Sequence, residues 1–323
     1  MIQWYRLGDG SLGIESEDRA LAERFETIYG CCATDAPGAG PQVICQVRTT
    51  DSGEVRVRFD DPETLDLTAF IEAVFPGRGY VTAPHREGIS VRLPDSTHDV
   101  LLLDGSLVAP AGSAWQPLVA NLAVSRLLRL QREVVFFHAA SVRIGGRGLM
   151  ACGPKRSGKT TLALGLAARG HVVLGDEVAA VRTDDRTLIP FRRSLAARAG
   201  PSTTAASALV ARAGGVVERF PDGEARTRLA MQAISPAAPP HRTPLTALVI
   251  LRSIVPKTQV RSAAVRPELL GALTPLAASL WGRPAGATAL RLLRLLSGVR
   301  VFEIDSGPPD ELVNRVEHLM EDG

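Results

Sequence analysis

Leu149-Met-Ala-Cys-Gly-Pro-Lys-Arg-Ser-Gly-Lys-Thr-Thr-Leu-Ala-Leu164 carries the spacing from which the chain can be read: Gly153, four residues, then Gly158-Lys159-Thr160. This is the G-x-x-x-x-G-K-[ST] pattern of a phosphate-binding loop, a turn in which consecutive backbone N–H groups converge on an anion. Each residue type has a physical reason. Gly153 and Gly158 lack the Cβ that would obstruct left-handed backbone and the close approach of a phosphate. Pro154, Lys155, Arg156 and Ser157 span the arch between them, and Lys159 is a point charge on a long stem that reaches the β- and γ-phosphates. The Thr160 hydroxyl is a hard oxygen ligand suited to Mg²⁺. From Thr160 and Thr161 to Ala168 the residues favour helix, so the N-terminal amides and the dipole face the same anion.

The flanks agree with the pattern. Residues 148–152 form a short apolar run suited to the strand that must precede the loop, and Leu162, Leu164, Leu166 and Ala167 supply helix formers after it. Among 37 basic residues only Lys155, Lys159 and Lys257 are lysine, so a lysine at this position by chance is rare. The competing reading is a glycine-rich turn between strand and helix that binds nothing.

At 323 residues the chain has room for two domains, or for one with a long insertion. Hydrophobic content of 45% with 22% charged places it among globular proteins. The net charge of +3 comes from scattered arginines without a dense basic block, which gives no reason to expect a nucleic-acid or membrane partner. There is no 18-residue apolar run, and residues 1–9 lack the succession of a signal peptide; the expected location is the cytoplasm. Cys31, Cys32, Cys45 and Cys152 have neither metal-site spacing nor the density of a disulfide scaffold, and read as free thiols.

Residues 1–110 are expected to form an N-terminal accessory domain, small α/β or mainly β. Helical spacing over 18–29 and 68–75 alternates with strand character at 43–47, 55–59, 89–93 and 100–103, and Thr50-Asp-Ser-Gly53 marks a hairpin turn. No chemical constellation occurs in this half, which is expected to shape, dock or oligomerise. Residues 115–131 form an amphipathic helix that opens the second domain, 111–323. Residues 134–144 read as one long strand containing His138, turned at Gly145-Gly-Arg-Gly148 into the strand that feeds the loop. After the helix, residues 171–177 read as a strand ending in Asp176-Glu177. Apolar residues running into Asp176 match the second acidic element of phosphate-loop enzymes, where a carboxylate completes the Mg²⁺ shell. His138 within an apolar strand is equally the pattern of a core histidine bonded to a carbonyl.

The order His138-Ala-Ala-Ser, then 153–164, then Ala168-Arg-Gly-His-Val-Val-Leu-Gly-Asp-Glu177 resembles the catalytic core of HPr kinase/phosphorylase and its related kinases, which include those associated with lasso peptides. The similarity covers about 134–181, and 188–193 resembles the segment that follows in the related kinases. The resemblance implies an α/β phosphate-loop kinase core, with ATP on residues 153–161 and Mg²⁺ on Thr160 and Asp176. It implies His138 in the active site, Lys159 on the phosphates, and Glu177 as base toward a serine hydroxyl in a peptide or small protein. Homo-oligomerisation is compatible with it. The acid-and-arginine signature that follows the acidic pair in HPr kinases themselves is not recognisable here; Glu224-Ala-Arg226 is a faint echo farther along.

Residues 194–244 shift to Ala, Gly, Pro, Ser and Thr and are expected to be a mobile loop, the natural lid or peptide-docking segment. Arg192 and Arg193, just ahead, would contact phosphate or an acidic substrate, or be solvated. Residues 245–251 read as a buried central strand, 267–296 as leucine-rich helix interrupted near 282–284, 299–305 as a last strand and 309–320 as a closing helix. The expectation is therefore an ATP- and Mg²⁺-dependent hydroxyl kinase. A small-molecule kinase and a nucleotide-sensing module in which Glu177 and His138 are inert stand as alternatives.

Overall fold

The computed structural model describes residues 1–61, 66–75, 79–93, 97–200, 202–219, 224–278 and 285–321. The expected turn signals at 76–77, 221–223 and 282–284 lie outside them. The chain is mixed α/β and divides into two units, the first spanning Met1–Arg132 and the second beginning at Glu133.

The first unit is built on a nine-stranded mixed sheet. Its opening hairpin, Ile2–Leu7 with Gly10–Glu15, continues through parallel pairing to Gln42–Thr49 and then antiparallel to Val55–Phe59. Ser106–Ala109, Asp99–Leu103, Gly88–Arg92 and Val81–His85 complete that side. The helix Arg19–Tyr29 starts where the Asp18 side chain accepts from the Leu21 amide, and it buries Leu21, Phe25 and Ile28, the spacing noted in the sequence.

The helix Gln116–Leu130 belongs to this unit, so the division falls near 132 instead of 110. The reason is tertiary. Beyond its apolar stripe the helix carries Arg126, which donates to Asp61 at 2.7 Å with both side chains out of solvent, and lies 5.2 Å from the Phe59 ring centroid. Such a pair is costly to break, because either partner alone is an uncompensated buried charge. Just past the helix, Gln131 accepts from the Asp9 and Gly10 amides and donates to the Leu7 carbonyl, tying the helix end to the first hairpin.

The second unit centres on another nine-stranded sheet. Arg147–Cys152, the strand feeding the loop, pairs parallel with Thr243–Ile254, which pairs parallel with Arg300–Ser306. On its other side it pairs antiparallel with Ala140–Ile144, through a turn whose Gly145 and Gly146 both have positive φ, as a two-residue hairpin requires. Ala140–Ile144 in turn pairs antiparallel with Val172–Gly175. Two antiparallel steps restore direction, so the strand before the loop and the strand before the acids run the same way and end at the same edge. The helix Lys159–Ala168 connects them and contains Gly165, where a Cβ would meet Val313 Cγ2 at 2.5 Å. That glycine lets the closing helix Pro309–Glu321 pack close by, which offsets the roughly 1 kcal/mol that glycine costs inside a helix.

Two further sequence expectations change within this unit's sheets. The run 134–144 is two strands: Val134–Phe137 pairs with Ala179–Arg182, whereas Ala140–Ile144 pairs elsewhere, and His138-Ala139 carry the chain between partners. Residues 194–244 also contain regular structure in place of an open loop. Leu195–Arg198, Ala225–Leu229 and Val216–Arg219 form a three-stranded antiparallel sheet, with the helix Thr204–Ala213 capped by the Thr203 hydroxyl. Loop-like composition misleads here because the pairing partners of Ala225–Leu229 reach back to Leu195, opposite Leu229, beyond any local pattern.

Candidate functional site

The loop follows Cys152 at the C-terminal edge of the sheet and enters the helix at Gly158, which has φ +101° and no side-chain cap bond. The first helical amides are thus not occupied by a capping side chain, the arrangement that suits an anion. Gly153 is confined by its surroundings: a Cβ there would meet the Leu251 carbonyl oxygen at 2.4 Å and Ser157 Oγ at 2.6 Å. At Gly158 a Cβ would meet nothing within 4 Å, so that side of the loop is open and glycine is required by φ alone. Arg156 also takes a positive φ, 71°, which bends the arch at its middle.

Lys159 is buried and donates to the Gly153 and Pro154 carbonyls at 2.8 and 2.9 Å, so its ammonium lies across the loop. Burial pushes its pKa down, against the pull of the Asp176 charge. The Thr160 hydroxyl donates to Asp176 Oδ2 at 3.0 Å. Asp176 is 1% exposed, and burial followed by the Glu177 charge raises its pKa to about 6. A buried carboxylate whose proton affinity is raised in this way is short of positive charge. With the Thr160 oxygen beside it, the pair fits a hard cation that takes its remaining ligands from phosphate and water, as Mg²⁺ does. Among the described residues there is no group of three His, Cys, Asp or Glu that would hold a metal by protein ligands alone. Ser157 Oγ, inside the loop, is buried with no hydrogen-bond partner among the described residues.

The two acids lie past the end of Val172–Gly175, not on the strand, and Glu177 has φ +65°. For a residue other than glycine that conformation is sparsely populated, and tertiary contacts must hold it. His138 Nδ1 lies 3.2 Å from the Glu177 carbonyl oxygen; since the carbonyl only accepts, Nδ1 carries the proton. Burial, then the Lys159 charge, push the His138 pKa down and keep the ring neutral. The Glu177 carboxylate is 3.3 Å from Arg193 Nη2. Burial would raise its pKa, but the Arg193, Arg228 and Arg226 charges outweigh it, and the pKa is lowered. The two neighbouring acids are therefore driven apart, Asp176 up and Glu177 down, the pattern that separates roles within a site.

The structure thus brings together the loop 153–161, His138, Asp176 and Glu177, with Arg193 on the Glu177 carboxylate. It adds four from the three-stranded sheet. Glu224 accepts from Arg156 of the loop, from Arg198 Nε at 2.7 Å and from Arg226 Nη2 at 3.1 Å, while Arg228 pairs with Glu218 and donates to Ser194 Oγ at 3.3 Å. The Glu224-Ala-Arg226 echo was the sequence signal for part of this set. Arg192 turns away to the Met231 and Ser235 carbonyls, while His171 donates its backbone N–H to the Leu166 carbonyl at the end of the helix and its ring pairs with Glu317 at 2.8 Å. Cys152, buried beneath the loop, has its thiol pushed up to about 12 and is unreactive at neutral pH.

The Asp176 shift gives a stability prediction. Its folded pKa of about 6 exceeds the reference 3.8, so the folded protein keeps this proton to higher pH than the unfolded chain does. Stability is therefore lost as pH rises from about 4 to about 6 and stays lost above that. Asp176→Asn, which can still accept from Thr160, is expected to stabilise the ligand-free protein by on the order of 2 kcal/mol at neutral pH. Thermal unfolding should show that gain vanishing in acid, below about pH 4.

No family model matches the chain, and no curated protein matches it. Among solved structures it is similar to the Hpr(Ser) kinase/phosphatase from Coxiella burnetii, with 15% identity and a TM-score of 0.29 over 58% of this chain and 99% of that one. An overlap of that size carries no argument, and the functional reading rests on the site's own geometry.

Proposed function

We propose that the second unit binds ATP with Mg²⁺ and transfers the γ-phosphoryl group to a hydroxyl, that of a serine in a peptide or small protein. The observation that carries this reading is the convergence, at one sheet edge, of a lysine lying across a glycine loop, a Thr160–Asp176 oxygen pair and a separate ionised carboxylate, Glu177. Phosphoryl transfer asks for little more, since its transition state is loose and catalysis is mostly positioning and charge stabilisation. Thr160 and Asp176 would hold Mg²⁺, which when bound neutralises charge on the phosphate oxygens.

Lys159 and the amides of the helix N-terminus bind the phosphates and stabilise charge that develops as the bond to the leaving oxygen breaks. Glu177 accepts the acceptor hydroxyl's proton on its carboxylate while that oxygen bonds to phosphorus. A low pKa makes Glu177 a weak base, which suffices because the proton departs late in a loose transition state. His138 fixes the strained Glu177 backbone through its carbonyl, and Arg193 fixes the side chain. The first unit is proposed as an accessory domain.

The test is intact-mass spectrometry of candidate serine-containing peptides incubated with the protein, ATP and Mg²⁺. Gain of one phosphoryl group supports the reading. ATP consumption without transfer to any peptide would point to a small-molecule acceptor, and nucleotide binding without consumption would overturn the kinase in favour of a sensor.

A further inference from the structure

One carboxylate, Glu224, holds three guanidiniums at the phosphate loop. Its Oε1 accepts from Arg156 at the middle of the arch, and its Oε2 accepts from Arg198 at 2.7 Å and Arg226 at 3.1 Å. The arginines come from three places in the chain: the loop, the end of Leu195–Arg198, and Ala225–Leu229, where Arg198 and Arg226 are paired across the ladder. They also reach both ends of the site. Arg198 is near enough to Lys159 to lower its proton affinity, and Arg226 is near enough to Glu177 to favour its ionised form. Glu224 therefore lies within a ring of positive charge running from the phosphate lysine to the acid at the transfer end. Its hydrogen bonds from Arg156 and Arg198 hold its own pKa down at about 2, so it is an anion at every working pH.

A carboxylate accepting from several guanidiniums uses the same planar, paired N–H···O geometry that arginines offer to phosphate oxygens. A single carboxylate brings one negative charge to this ring, whereas a nucleoside triphosphate brings several. We propose that Glu224 is an internal stand-in for a phosphate group, and that Arg198 and Arg226 join Arg156 as phosphate-binding residues when a polyphosphate displaces it. This rests on the phosphate-binding part of the reading above and adds two ligands and a competitor to it. Releasing the clasp is part of the cost of binding, so the observed affinity is the intrinsic affinity reduced by the fraction of molecules in which the ring is free.

The consequence is a sign that a purely structural glutamate would not give. Glu224→Gln keeps the size and removes the charge, and is expected to bind both inorganic triphosphate and ATP about tenfold more tightly than wild type. Arg198→Ala and Arg226→Ala, made in the Glu224→Gln background, are expected to cancel that gain. Isothermal titration of the full chain with inorganic triphosphate, with thermal unfolding as the check on folding, reads all of these. Should the Gln variant misfold, Glu224→Asp withdraws the carboxylate by one methylene and is expected to shift affinity in the same direction.

Unchanged or weaker binding by the charge-removed or charge-withdrawn variant overturns the proposal, since it would mean that Glu224 holds the arginines ready and does not occupy their place. Lys159→Ala, titrated alongside, separates the two levels. If it binds triphosphate as wild type does, the loop is not a phosphate site and the functional reading falls. If it loses binding while the Glu224 variants gain none, only the stand-in falls.

Discussion

Lys159→Ala is expected to lower phosphoryl transfer by about a thousandfold and to weaken ATP binding in the same titration. The magnitude follows from position. Its ammonium is buried against the Gly153 and Pro154 carbonyls and is the side-chain cation of the loop pattern placed to meet charge developing on the transferred group. Burial depresses its proton affinity, so the charge is held at a cost in the ligand-free protein. Thermal stability of the variant should consequently match or exceed that of wild type. This combination, large functional loss without loss of stability, marks a group kept for binding and not for folding. A variant that kept its ATP affinity and its transfer rate would remove the phosphate-loop reading altogether.

Glu177→Gln is the second large effect: transfer falls by about a thousandfold, while ATP binds at least as tightly as before. The carboxylate faces Arg193 and is held ionised by that arginine together with Arg228 and Arg226. Removing its charge leaves those cations less compensated, which cannot weaken the attraction for an anionic nucleotide. The loss therefore appears in kcat and not in nucleotide affinity. Single-turnover transfer measured at saturating ATP distinguishes this from a positioning defect, and equal rates for wild type and variant would show that Glu177 takes no proton. A nucleotide sensor would retain its full ATP response with this substitution.

Much of the site is legible before folding because a phosphate loop is a local device. Gly153, Gly158, Lys159 and Thr160 work through backbone angles and a helix start that lie within eight residues, so their spacing carries the geometry. The same holds for the strand that feeds the loop, expected over 148–152 and observed as Arg147–Cys152. Asp176 is legible because it follows an apolar strand, and its partnership with Thr160 is seen at 3.0 Å. What its sequence neighbour Glu177 does was less visible. Alternation along a strand would send the two acids to opposite faces, yet both lie past the strand end, and the left-handed Glu177 backbone is held by a histidine thirty-nine residues away.

The amino-acid order thus settles the short-range elements: a glycine loop between a strand and a helix, with its lysine, its hydroxyl and a following acid. These depend on φ preferences, hydrophobic periodicity and capping, all of which act over a few residues. Long-range pairing settles the rest. It breaks 134–144 at His138, gives the helix Gln116–Leu130 to the first unit through a buried Arg126–Asp61 pair, and folds the alanine-rich stretch 194–244 into a sheet. That sheet brings Arg198, Arg226 and Glu224 to the loop. Charges on separate strands have no local signature, because their energy depends on distance through space and not on separation along the chain.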